Sequence, residues 1–199
     1  SPVILNFKAL NARLEGFGIK GSEVSAAVKR LSFKWIGRPE VTQLSGGFRY
    51  TPNGMQFSDL SVATPQSAIS GELAFTYDRE DLADFVNKVN ISARFEDAVI
   101  AFDEANLFYN GFGSGKKAAF SSGFSGVLNG LEVHDLRMVS GGTAINGDFR
   151  FDNLFAKAEP FKVAASIRES SSSYRELITA LPGILGNSLP ASLDKLGRF

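Results

Sequence analysis

The chain has 199 residues, 44% of them apolar, and balances 21 basic against 21 acidic side chains. That length can bury a core of ordinary size, and the absence of excess charge argues against a nucleic-acid footprint or an anionic membrane surface. With no cysteine, disulfides and thiol catalysis are excluded, and no apolar run of roughly eighteen residues is present to span a membrane as a helix.

The lack of cysteine fits an oxidising compartment as well as the cytosol. Eighteen Phe stand against one Trp and four Tyr, which supplies apolar area without hydroxyl or indole donors in need of partners. That choice suits a core or a channel wetted by hydrocarbon. The sequence opens at Ser1 in strand-like alternation and reads as a piece of a longer protein.

From the start, Val3, Leu5 and Phe7 alternate, and after a phase change Leu10, Ala12 and Leu14 do so, until Gly16, Gly18 and Gly21 interrupt. This predicts a strand or two with a bulge or turn at the phase change. Ser22 to Phe33 has helical spacing at Val24, Ala27, Val28 and Leu31, but its local glycine load and short length favour strand. Gly37-Arg38-Pro39 is a turn, and Val41 to Tyr50 leads into a segment that occurs twice.

Asn53 to Tyr77 and, 76 positions later, Asn129 to Asn153 align without a gap. They share Asn53/Asn129, Gly54/Gly130, Asp59/Asp135, Leu60/Leu136, Ala68/Ala144, Ile69/Ile145, Gly71/Gly147 and Phe75/Phe151. Each copy has an Asn-Gly turn signal, an apolar alternation, a turn-rich patch and a longer alternation. The period of two predicts a pair of strands with one apolar face. Within each copy the apolar phase shifts at the matched aspartate, so Asp59 and Asp135 are expected to close a turn or bulge.

Asp78 to Lys88 places Leu82, Phe85 and Val86 at helical spacing behind an acidic start, which predicts a short helix packed against something larger. Strands are expected again at Val89 to Phe95, Ala98 to Phe102 and Leu107 to Tyr109, with a loop over Gly111 to Lys117. Phe120 to Leu128 leads into the second copy, and Phe161 to Ile167 forms a last strand. Serines 170 to 173 read as a turn. Tyr174 to Leu181 reads as a helix ended by Pro182-Gly183, and a further short helix after Pro190 would either cap the sheet or serve as linker. The domain reading is a repeated β segment over 1–167 and a helical or linker-like tail over 168–199.

Candidate chemistry is sparse. The single histidine, His134, alternates with Val133 and reads as an exposed strand position, so neither a histidine metal site nor a serine triad assembles easily. Asp78, Glu80, Asp81 and Asp84 crowd a helix start, where the dipole favours them. The spacing of an EF-hand loop is missing. Gly111 to Lys117 lacks the Walker spacing and a following apolar helix. No catalytic residue, metal or cofactor is expected. The strongest signal is the apolar face itself, and periodicity leaves open whether it is the filled core of a sandwich or barrel or the lining of a groove.

The run Asn53-Gly54-Met55-Gln56-Phe57-Ser58-Asp59-Leu60 followed by Ser67-Ala68-Ile69-Ser70-Gly71 resembles the repeats of the AsmA-like superfamily. It is most similar to the TamB (DUF490) branch, the translocation and assembly module, in its Bacteroidetes form. The second copy carries the resemblance through Asn129-Gly130-Leu131, Asp135-Leu136 and Thr143 to Gly147. Residues Asn90 to Asn110 look like that family's connecting strands, and the resemblance spans roughly residues 3 to 167.

The resemblance implies an all-β fold: an elongated sheet curled into a U-shaped apolar groove, with short helical segments. It implies a non-enzymatic segment of a periplasmic protein, anchored in the inner membrane, that carries phospholipid between the two membranes. An Omp85-type outer-membrane barrel would be its partner. The alternative is a scaffold or chaperone that captures strands of outer-membrane β-barrel proteins. By analogy with a lipid-filled groove, the lining would be Ile69, Leu73, Phe75, Ile91, Phe95, Ile145, Phe149, Phe151, Val163 and Ile167, while the helix at Asp78 to Lys88 would plug or cap it.

Overall fold

The computed structural model describes residues 7–35, 37–108, 110–156, 159–185 and 197. Ten strands form one antiparallel sheet in which every strand pairs with its neighbours in sequence. They are β1 (Phe7–Lys20), β2 (Glu23–Trp35), β3 (Val41–Thr51), β4 (Gly54–Ala63), β5 (Ala68–Thr76), β6 (Asn90–Ala101), β7 (Lys117–Val127), β8 (Gly130–Ser140), β9 (Thr143–Asp152) and β10 (Lys162–Ser171). Nine strand spacings of about 4.8 Å make it roughly 43 Å across. The fold is all-β, as the alternation predicts, and the ambiguous segment after Ser22 is strand.

The two copies of the repeat are the hairpins β4–β5 and β8–β9. Each starts at a tight turn whose asparagine carbonyl ties back the end of its own hairpin: Asn53 O accepts from Tyr77 N (3.1 Å) and Asn129 O from Asn153 N (2.9 Å). The matched aspartates sit in β-bulges. Asp59 (φ 48°) and Asp135 (φ 50°) adopt left-handed backbone, and the register slips between Phe57 and Leu60 and between Val133 and Leu136. A short polar side chain tolerates that conformation better than a branched one.

Every even strand from β2 to β10 carries such a slip. The extra residues are Lys29 and Arg30 in β2, Glu96 and Asp97 in β6, and Arg168 in β10. They make a line of bulges across the strands near mid-length. A bulge bends its strand and increases its twist, so the sheet curls about an axis parallel to the stacking direction. Glycine fits the approach beside this line: a Cβ on Gly71 would collide with the Arg94 carbonyl oxygen.

Helical pieces stand at the strand ends. Between β5 and β6, a 3₁₀ turn (Arg79–Asp84) starts with a capping box, the Asp78 N–H donating to Asp81 Oδ2 at 3.0 Å, and runs into α1 (Phe85–Lys88). The helix expected there is present and packed: the Phe85 ring lies 5.6 Å from Phe75, and Asn129 donates from its backbone to Val86 O (3.1 Å) and from its side chain to Asn87 Oδ1 (2.8 Å).

At the opposite margin the chain leaves β6 through α2 (Phe102–Ala105) and an excursion that returns at Lys117. Expected as strand, Leu107 and Phe108 are instead a turn, with Tyr109 outside the described residues; pairing of β6 with β7 stops at Ala101–Lys117, so no neighbouring strand is left for them. Asn106 fixes this loop, its side chain donating to Phe112 O (2.9 Å) and accepting from the Gly111 and Phe112 N–H groups. The excursion reaches back along the margin: Glu104 accepts from Thr64 and Ser67 of the β4–β5 turn, and Arg38 of the β2–β3 turn lies 4.5 Å over the Phe108 ring and donates to Leu107 O.

β10 continues past Ile167 to Ser171, and after it comes α3 (Tyr174–Ala180), opened by a capping box in which Ser173 Oγ accepts from Glu176 N at 3.3 Å. Pro182 ends that helix and begins α4 (Pro182–Leu185). Rather than covering the outer edge of β10, α3 turns back over the sheet, and Ala180 joins Phe102 and Ala118 in a small core with Phe112, Met138 and Leu181 packed around it. The further helix expected after Pro190 lies outside the described residues.

The bulges set the fold's most sensitive positions. Asp59→Val should cost about 1–3 kcal/mol in urea unfolding while Asp59→Asn stays within about 0.5 kcal/mol; equal midpoints for the two would contradict a left-handed requirement at this site. Gly71→Ala should cost at least as much as Asp59→Val, since the added methyl meets backbone.

Candidate functional site

Directly paired residues share a face of a sheet, so the register defines two unlike surfaces. One row across all ten strands reads Ile19, Val24, Tyr50, Met55, Phe75, Ile91, Gly126, Leu131, Phe151, Val163. The next row on that face reads Ala26, Phe48, Phe57, Leu73, Ala93, Phe124, Val133, Phe149, Ala165. Beyond the bulges the same face continues as Leu31, Leu44, Val62, Ile69, Ala98, Phe120, Met138, Ile145. The row that alternates with these on the other face reads Ser25, Arg49, Gln56, Ala74, Ser92, Ser125, Glu132, Arg150, Ala164.

The bulges produce this segregation. In β4 the apolar positions are Met55 and Phe57, then Leu60 and Val62; in β8 they are Leu131 and Val133, then Leu136 and Met138. Without one extra residue between the halves, the second half would turn to the polar side. Among the odd strands, β5, β7 and β9 keep one apolar phase, whereas β1 slips twice against β2 and β3 once, at Thr42 and Gln43.

All ten residues expected as lining fall on the apolar face. Ile69, Leu73, Phe75, Ile91, Phe95, Ile145, Phe149 and Phe151 are half-buried, and Val163 (48% exposed) and Ile167 (53%) are open. Leu44, Phe48, Phe124 and Met138 belong to the same surface and were missed, because they lie outside the long clean alternations from which the lining was read. Among the described residues only Val89 is a large side chain under 2% exposed. The face is therefore not the core of a sandwich, and no second sheet covers it among the described residues. Isolated apolar patches on monomers rarely exceed a few hundred Å², and rows spanning ten strands are far larger.

The polar face carries charge networks. Asp148 accepts from the Asp135 backbone N–H (2.8 Å) and from Arg168, which also donates to Asp135 Oδ1 (3.2 Å), so the bulges of β8 and β10 are tied together. The Asp135 N–H outweighs the opposing effect of burial and, joined by Arg168, holds the Asp148 carboxyl below its ordinary value. His134 is exposed on its strand, as expected, with Nε2 2.7 Å from Ser125 Oγ and 3.8 Å from Glu132 Oε2. Acid and hydroxyl thus approach the same ring nitrogen, which is not the arrangement of a relay in which an acid orients the far nitrogen. Among the described residues no group of three or more His, Asp or Glu is placed to hold a metal ion, and no helix is long and apolar enough to cross a membrane.

Among the described residues, one buried side-chain polar atom on the apolar side has no partner. The Tyr77 hydroxyl is buried without a hydrogen bond, and desolvation, with the nearby Tyr50, raises its pKa. Comparisons with protein-family models, curated proteins and solved structures find no match to this chain.

The clamp at Asp148 gives a pH signature. A carboxylate depressed in the folded state contributes stability above its ordinary value, 3.8, and loses it as pH falls through the folded value. The difference in urea midpoint between wild type and Asp148→Asn should be constant from neutral pH to about 5 and close as pH drops below about 4; a difference that grows on acidification would contradict the clamp. Tyr77→Phe should be neutral or stabilising by up to about 1 kcal/mol, since it removes an unpaired buried hydroxyl, and a loss of more than that would reveal a partner for it.

Proposed function

We propose that this chain is a lipid-carrying segment whose apolar face holds the acyl chains of phospholipid, leaving headgroups at the open side of a curled groove. The observation that supports this reading is the set of three apolar rows, the first of which crosses all ten strands, half-open rather than packed. Hydrocarbon that leaves a bilayer loses about 0.8 kcal/mol per exposed methylene. A surface that carries it must offer no charged side chain along the way, and the first row offers none. In this reading the protein is a TamB-like member of the AsmA-like superfamily, works in the periplasm as part of an inner-membrane-anchored chain, and meets an Omp85-type barrel at the outer membrane.

A second reading is favoured by a separate observation. Residues 162–170 of β10 are all exposed, so its outer edge is available to an added strand, the mode by which sheets capture extended peptides. A scaffold for β-barrel insertion would use that edge.

The two readings separate in native mass spectrometry of gently purified protein followed by lipid extraction. The lipid reading expects phospholipid adducts that are lost in Phe75→Asp/Phe151→Asp and in Val163→Asp/Ile167→Asp, with circular dichroism unchanged. The second pair is already half exposed and should fold regardless. Protein clean of lipid and unable to take up added phospholipid vesicle lipid would overturn the first reading and leave the edge-capture role.

A further inference from the structure

Between α3 and the sheet lies a cavity of about 240 Å³ that is separate from the residues expected to line a groove, Ile145 excepted. Its wall includes Ile100, Phe112, Phe120, Met138, Leu177 and Leu181. Two polar residues border it, and both are engaged: Ser140 Oγ donates to Lys117 O at 2.8 Å, and Thr143 Oγ1 pairs with Ser172 Oγ at 2.7 Å. An ordered water needs two to four polar partners, and an apolar cavity of this kind stays dry while accepting hydrocarbon.

The cavity is continuous with the apolar face. Phe120 and Ile145 belong to both, and a file of rings leads away from it, Phe120 to Phe124 at 6.3 Å and Phe124 to Phe95 at 5.6 Å between centroids. Its roof is built to stay in place: the Phe102 and Phe112 rings pack tilted at 43° with centroids 5.2 Å apart, and Gly113 N donates to Ala180 O at 2.8 Å, tying the β6–β7 excursion to α3. The volume is below the roughly 300–1,000 Å³ of sites for drug-sized molecules, so a fused-ring lipid is too large and the end of one flexible chain is not.

We infer that this cavity is a terminus pocket, which takes the methyl end of a single unbranched acyl chain lying on the apolar face. It retains the chain at the margin of the sheet and gives the surface a preference for straight chains over branched or ring-bearing ones. The source of such chains rests on the lipid-carrying reading, whereas the pocket's affinity for hydrocarbon is a property of its own wall.

The experiment uses the whole chain and dodecanoic acid, with a diazirine at the methyl end for photolabelling. Labels are expected on peptides that contain Phe112, Met138 and α3. The cavity-filling variants Ala180→Leu and Ala105→Leu, introduced separately so that one misfolded protein does not decide the matter, should raise the melting temperature and weaken dodecanoate binding roughly tenfold or more. Phospholipid adducts should persist in both. Labels confined to the rest of the face, or wild-type dodecanoate affinity in both filled variants, would overturn the pocket while leaving the lipid reading intact. Labelling beneath α3 in a protein that takes up no phospholipid would uphold the pocket and overturn that reading.

Discussion

An antiparallel sheet can keep one face apolar over ten strands only if each strand offers its apolar residues with one parity, and the even strands of this protein do not. Their sequences change phase halfway, and the inserted bulge residue restores the match. Removing that residue would invert half of each even strand and mix polar with apolar side chains on both surfaces. The curvature is a consequence of the same device, because the bulges stand in line across the strands. One local backbone event, present on every even strand and also in β1 and β3, therefore sets the chemical segregation of the two faces and bends the strands that carry it.

Where the side chains lead, the energetics follow. A sheet with a covered face would put rows such as Phe48, Phe57, Leu73 and Phe149 near zero exposure, and the large buried side chain here is instead Val89, at the margin beside α1. Full burial falls partly where helical pieces fold over, at Val89 beside α1 and at Phe102, Ala118 and Ala180 beneath α3, and otherwise at Leu60, Val133 and small residues such as Ala93 and Ala98 on the strands. The middle of the face is left half-open. Its favourable burial is thus incomplete within the described residues, and a ligand that fills it supplies contacts the chain does not make by itself.

The sequence made the hairpins of the repeat legible because turn, phase shift and alternation recur together; Asp59 and Asp135 were readable as bulges from the phase shift alone. The other hairpins follow the same plan with different residues. Lys29 and Arg30, and Glu96 and Asp97, occupy the bulge without resembling Asp59 or each other, since a bulge asks for an extra residue more than for a particular side chain. Similarity of residues fades there while the geometry persists. The cavity beneath α3 could not be read at all: its wall joins Ile100, Phe112, Met138 and Leu181, distant in the chain, and only the return of α3 across the sheet brings them together. The strand expected at Leu107 failed for a related reason, since strand pairing depends on a neighbour and not on the apolar run itself.

The placement of the helical pieces bears on how much of the apolar face is open. The helix over Asp78 to Lys88 was expected to plug or cap a groove, and the C-terminal ones to cap the sheet or serve as linker. The line of bulges runs across the strands, and α1 and the α2–α3 pair stand at the strand ends on either side of it. No residue of the three apolar rows is itself helical, but Phe85 of α1 packs on Phe75 of the first row and α3 closes over Phe120, Met138 and Ile145 of the third. The helical pieces thus cover part of the apolar face at each margin, while the first row runs on by direct pairing from Ile19 to Val163.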